Sequence, residues 1–158
     1  MGRREDAIDR FQGLLRDLLE ETRASRTTIR VDVPALGFHV NAPAAEARAP
    51  GVRSILTETS LDQRRAVAVK WLEKNRRVFV ENDCLHAAPE VAPEREVTDV
   101  YGIRSEMVAP LVRGDVLQGW VSVHDTRGPR QWMDREVRAL EETCRKLLAV
   151  LETIGMEE

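Results

Sequence analysis

The chain has 158 residues, 42% apolar and 32% charged, a balance that buries one substantial core beneath a hydrated surface. Its 24 basic and 27 acidic residues give a formal net charge of -3, so no overall positive field gathers nucleic acid. The opening MGRREDAIDRFQGLL is too charged for a signal peptide, and no apolar run nears the roughly 20 residues that cross a bilayer, so a cytoplasmic protein without membrane or nucleic-acid partners is expected.

From Asp6 to about Ala24, the residues Ile8, Phe11, Leu14, Leu15, Leu18 and Leu19 recur at intervals of three and four, which predicts an amphipathic helix. TTIRVDV, residues 27–33, sets Ile29, Val31 and Val33 against Thr28, Arg30 and Asp32, which predicts a strand. Pro34 ends it and Gly37 marks a turn. FHVNA then opposes Phe38, Val40 and Ala42 to His39 and Asn41, so the two segments are expected to pair as a hairpin. Residues 43–59, rich in Ala, Pro and Gly, read as a connection. Ser60 with Gln63 has the spacing of a capping box, which starts a helix running to about Asn75 with Val67, Trp71 and Leu72 buried.

RVFVEN, residues 77–82, predicts a short strand. The aperiodic stretch from Asn82 to Gly102 predicts a long loop of the kind that serves as a lid or binding loop. SEMVAPLV and VLQGWVSVHD predict two strands joined by a hairpin turn at Arg113-Gly114-Asp115. A final helix begins with Asp134 as its cap. Its residues Val137, Leu140, Cys144, Leu147, Leu151 and Ile154 form a heptad seam that can pack on the sheet, on the first helix or on a second subunit. Cys84 and Cys144 lack metal-ligand spacing and read as free thiols.

This order predicts an α+β fold in a single domain spanning 1–158, with its core over about 6–154. It consists of one antiparallel sheet of about five strands, terminal helices on one face and the long loop covering the other. SEMVAPLVRGDVLQGWVSVHDTRGPRQWMDREVRALE resembles the second half of a GAF domain, where an apolar strand ending in Pro-Leu, a glycine turn and a Gly-Trp strand lead into an acid-capped helix. Within that superfamily HDTRGPRQW is similar to the bilin-binding GAF domains of phytochromes and cyanobacteriochromes. The resemblance implies that His124 is the pocket histidine.

Those domains place a covalent cysteine some ten to fifteen residues before the SEMVAPL-type strand. Here Cys84 stands about twenty residues upstream, so a thioether-linked bilin is not expected and the cofactor is left unnamed. Free methionine-R-sulfoxide reductases, compact GAF domains of similar length, keep a catalytic cysteine just before that strand, where this chain has Asp99, Val100, Tyr101 and Gly102.

In a GAF-type sheet, strand alternation separates the helix side from the ligand side. On the last strand Leu117, Gly119, Val121 and Val123 are assigned to the helices, which leaves Gln118, Trp120, Ser122 and His124 for the other face. The candidate ligand-binding residues are therefore Arg30, Asp32, His39, Asn41, Trp120, Ser122 and His124. Arg30 can clamp a carboxylate, Trp120 can stack on a ring, and the histidines can donate or accept, which suits a planar or anionic small molecule. No catalytic residue is assigned. No metal site is assigned either, because His39 and His124 lack a third ligand in a short motif. Arg127 and Arg130 are expected to pin their turn to nearby carboxylates. The expected function is a non-catalytic, small-molecule-binding sensory or regulatory module, homodimeric through its terminal helices. The alternatives are a thiol enzyme of the reductase type and a structural dimer without ligand.

Overall fold

The first helix forms where the apolar period predicts it. In the computed structural model, which describes residues 2–156 and side chains to 154, α1 spans Arg3–Thr22 and buries Phe11, Leu15, Leu18 and Leu19. The expected domain limits, 1 and 158, lie outside the described residues. The chain then forms β1 (Arg26–Val31), β2 (Ala45–Arg48), α2 (Val67–Asn75), β3 (Phe79–Glu81), β4 (Ser105–Arg113), β5 (Val116–Asp125) and α3 (Asp134–Met156). The five strands form one sheet in the order β2-β1-β5-β4-β3, every neighbouring pair antiparallel. α1 and α3 cover one face, where their side chains join Ile29, Val31, Met107, Leu111, Val121 and Val123 in the main core.

Three expectations are corrected. FHVNA is not a strand: Pro34–Leu36 forms a 3-10 turn closed by Gly37 at φ 74°, and a single bridge joins Val33 to Phe38. The hairpin partner of β1 is Ala45–Arg48, within the stretch read as a connection. Its alanines conceal it from a pattern that looks for branched residues, yet Ala45 and Ala47 are buried in the core they share with α1, where small side chains let the helix lie close.

The second helix starts at Val67 rather than Ser60, after one 3-10 turn at Gln63–Arg65, and no side chain of its own segment caps it. The long loop supplies the cap. Glu94 accepts the Val67 N–H with both carboxylate oxygens, at 3.0 and 3.3 Å, so a residue 27 positions away satisfies an orphan donor of the first turn.

The third correction concerns a face. Between Leu111 and Val112 the β4–β5 register slips, so Leu111 faces Gly119 while Val112 faces Leu117, and Gln118 is the extra residue of a bulge. Leu117 thereby turns away from α1 and α3 to pack with Trp120, Phe79, Leu72 and Val108. The heptad seam of α3 is spent inside the chain: Leu140, Cys144, Leu147, Leu151 and Ile154 are all buried in the main core.

Candidate functional site

On the sheet face away from α1 and α3, the antiparallel registers set residues in rows. Arg26, His124, Glu106 and Glu81 form one row across β1, β5, β4 and β3, and Thr28, Ser122, Val108 and Phe79 form the next. Arg30 and Trp120 pair in a third. α2 and the long loop lie over these rows and leave a narrow cavity of about 50 Å³, lined by Arg30, Trp120, Ser122, His124, Glu81 and Glu106 from the sheet. From above, Gln63, Glu94 and Tyr101 complete it. A space this size holds a few water molecules.

Arg30 is 3% exposed. Its Nη1 donates to the Val40 carbonyl at 3.1 Å, and its guanidinium lies 5.9 Å from the centre of the Tyr101 ring. Among the described residues its Nη2 makes no hydrogen bond of good geometry, although the Tyr101 side chain lies close enough to stabilise the charge. Burial lowers the pKa of this arginine, against the opposing pull of Tyr101. A buried donor left unmatched costs about 1–3 kcal/mol, more when it is charged.

His124 presents a fixed tautomer. Its Nδ1 lies 3.1 Å from Arg26 Nη1, and because a guanidinium only donates, Nδ1 is the acceptor and the ring hydrogen sits on Nε2. Burial, then the charges of Arg26 and Arg30, hold its pKa well below the usual histidine range, so the ring is neutral. Arg26, wholly buried, spends its other donors on the Tyr101 carbonyl (3.1 Å) and the Arg53 carbonyl (2.8 and 3.2 Å). Its pKa is pushed down to about 10, by burial first and then by Arg48, Arg53 and Arg30, against the pull of Glu46.

Beyond His124 in the same row stands Glu106, 5% exposed. Among the described residues its one hydrogen-bond partner is the Cys84 thiol, 4.0 Å away. Burial, with Glu81 and Glu94 beside it, pushes its pKa up to about 7. Burial and Glu106 in turn raise the pKa of Cys84, which therefore stays a thiol. Cys84 packs with Ile55, Val97, Tyr101 and Ile103, whereas Cys144 belongs to the core beneath α1 and α3, so neither thiol has the other for a partner.

Of the seven candidate residues, Arg30, Trp120, Ser122 and His124 line the cavity. Asp32, His39 and Asn41 do not, because β1 ends at Val31 and the segment after it is a turn. Asp32 accepts the Val40 N–H (3.0 Å) and pairs with Arg64 (2.6 Å). Asn41 accepts the Gln63 N–H (3.0 Å), and His39, exposed, accepts the N–H of Asn41 (3.2 Å). These three organise the connection instead. Arg127 and Arg130 pin their turn as expected: both reach Asp125, at 2.7 and 3.1 Å. Burial alone would raise the pKa of Asp125, but the bonds from Arg127 and Arg130 hold it down at about 2.

Arg26, Glu81, Glu94, Tyr101 and Glu106 are absent from the candidate set. For Glu106 the signal was present: in SEMVAPLV the set Met107, Ala109 and Leu111 is apolar, which leaves Glu106 and Val108 on the cavity side by the rule already applied to β5. Arg26 lies two residues before Thr28 on the same alternation, just outside the segment read as strand.

The GAF domain family model matches residues 6–151. Among solved structures, the blue-light absorbing form of the PixJ GAF domain of Thermosynechococcus elongatus aligns with a TM-score of 0.76 at 22% identity, over 97% of this chain and 89% of that one. The photoproduct state of GAF3 from Slr1393 of Synechocystis sp. PCC6803 aligns at 0.73 and 15%, over 95% and 96%. The chromophore-binding domain of the bacteriophytochrome RpBphP3 from R. palustris aligns at 0.67 and 17%, over 98% of this chain and 62% of that one. Identities this low carry the fold alone. No curated protein sequence matches the chain.

Proposed function

The chain belongs to the GAF domain family, and from that premise we propose that it is a sensory or regulatory module that binds a compact, polar small molecule in the cavity between the sheet and the long loop. The observation that carries this reading is the Nη2 of Arg30, a buried charged donor without a well-formed hydrogen bond among the described residues, in a cavity it lines. A carboxylate or other anionic oxygen is the partner it requires. Glu106 stands on β4, two rows from Arg30, and suits a donor on the same molecule. Ser122 and the Nε2 hydrogen of His124 lie between them.

The neighbours include the far-red absorbing dark state of JSC1_58120g3 with bound biliverdin IXa. A cavity of about 50 Å³ favours a far smaller ligand than a tetrapyrrole. Against the thiol-enzyme reading stands the state of Cys84, buried, protonated and remote from Cys144. The proposal places the module in the cytoplasm, which two unpaired thiols suit. It includes a homodimer. The exposed acids Asp17 and Glu21 of α1 face Arg135, Arg138 and Lys146 of α3 across a groove of about 890 Å³, and none of the five has an ion-pair partner among the described residues. A twofold axis would set the acids of one copy against the bases of the other.

Native mass spectrometry of the protein purified from its own host tests the ligand. The wild type is expected to carry a small adduct that the Arg30→Met variant lacks. A wild type without adduct, whose tryptophan fluorescence also ignores small carboxylates at millimolar concentration, would overturn the reading.

A further inference from the structure

A second concavity opens at the rim of the sheet where α1 ends, β1 begins and β5 ends, and nothing in the cavity reading uses it. It measures about 840 Å³, within the range of small-molecule sites, and its lining includes seven arginines against two acids, Glu20 and Asp99. In a chain of net charge -3 this is a local reversal of sign.

Three of the arginines have carboxylates: Arg48 with Glu46 (3.0 Å), Arg127 with Asp125 (2.7 Å) and Arg53 with Glu58 (3.4 Å). Three have none among the described residues. Arg16 donates to the Arg48 carbonyl at 3.3 Å, Arg104 donates to the Thr98 and Ile103 carbonyls, and the Arg23 side chain has no partner among the described residues. Arg23 is also held in the left-handed region at φ 53°, which takes the chain out of α1 and into the rim of the groove. The seventh, Arg26, closes the floor and has Glu46 no nearer than 4.0 Å. Of the two lining acids Asp99 already pairs with Arg95, outside the groove, at 3.4 Å. Positive charge thus exceeds its local neutralisation in a concave space, where field lines concentrate and an anion gains most.

We propose that this groove binds a compact ligand carrying two or more phosphates. Several guanidinium forks around one space match the many oxygens of a phosphate chain better than they match a single carboxylate. The bounded groove and the net negative charge of the rest of the molecule disfavour a long nucleic acid. The site reaches the cavity through one shared residue and one contact. Tyr101 lines both spaces, and Arg26 Nη1 bridges the Tyr101 carbonyl to His124.

Isothermal titration of the full chain with inorganic tripolyphosphate tests the site, with ATP and a short single-stranded oligonucleotide as further arms. One site for tripolyphosphate is expected, weakening as salt rises. The double variant Arg16→Ala/Arg23→Ala should weaken it at least about tenfold, roughly 1.4 kcal/mol, with an unchanged far-ultraviolet dichroism spectrum. Arg113→Ala, on the exposed tip of the β4–β5 hairpin, should leave it unaltered. If the double variant does not fold, Arg23→Ala alone serves. Tighter binding of ATP would identify a nucleotide as the source of the phosphates, and equal binding would leave the phosphate chain as the determinant; both sustain the proposal. No binding of tripolyphosphate, equal loss in Arg113→Ala, or preference for the oligonucleotide overturns it. None of these outcomes depends on whether the cavity at Arg30 is filled.

Discussion

Glu106 is the residue at which the chemistry of the cavity becomes measurable. A carboxyl whose pKa stands near 7 in the folded chain, above its usual value of 4.5, binds a proton more tightly folded than unfolded. Its contribution favours folding below the unfolded value and is lost as pH rises through 7. The full difference is about 3 kcal/mol at 1.36 kcal/mol per unit. Urea denaturation at pH 5 and pH 8 should therefore show the wild type losing stability on that order, while Glu106→Gln, which cannot ionise, stays level across the same range. Parallel profiles for the two proteins would reject the assignment. Arg26 escaped the sequence because it precedes the run read as strand, and Glu106 because alternation was applied to β5 and not to β4. Here one is answered by two carbonyls and a histidine, and the other is kept neutral by its surroundings. Arg30, Trp120, Ser122 and His124 were legible because alternation alone decides their side, whatever they touch.

Among elements, β1 and β5 approach closely at Gly119. A methyl group on Gly119 would lie 2.1 Å from the Arg30 carbonyl oxygen and 2.8 Å from the Val31 Cα, with only backbone to give way. Gly119→Ala should thus cost about 3 kcal/mol or more, at the upper end of overpacking, read as a lowered midpoint in thermal denaturation. A midpoint unchanged from wild type would mean that the strands part without penalty. The same glycine stands one residue from the bulge, and these two features explain why alternation worked for Trp120, Ser122 and His124 but failed for Leu117. Element types were legible where the periodic run was long, as in α1, α3 and the β4–β5 hairpin. β2 was not, since AEAR is strand only because β1 pairs with it and α1 lies on it. The start of α2 was not legible either, because its cap, Glu94, comes from the far side of the fold.

For the whole molecule, the fate of the α3 seam determines how association is tested. Leu147 is fully buried against the chain's own core, so a charge there reports on folding and not on a dimer. The outer faces carry the prediction instead: sedimentation equilibrium should give the mass of two chains at low salt. Arg135→Glu with Arg138→Glu should give one chain while keeping the far-ultraviolet spectrum of the wild type. A wild type that sediments as a single chain at the same salt would remove the dimer from the proposal.

The strand order has a consequence for how the chain is made. Of the two neighbours of β1, β2 follows at once, but β5 is synthesised only after α2, the long loop, β3 and β4. A nascent chain therefore holds one edge of β1 open until Asp125 has emerged, and closure waits for contacts distant in sequence, the slow kind. An open strand of Ile29 and Val31 invites pairing with other chains, and charges within such a strand deter it. Arg26 and Arg30, which later meet His124 and the cavity, are the charges it carries. The guanidiniums that make the finished sheet's interior polar also guard the strand while it is unpaired.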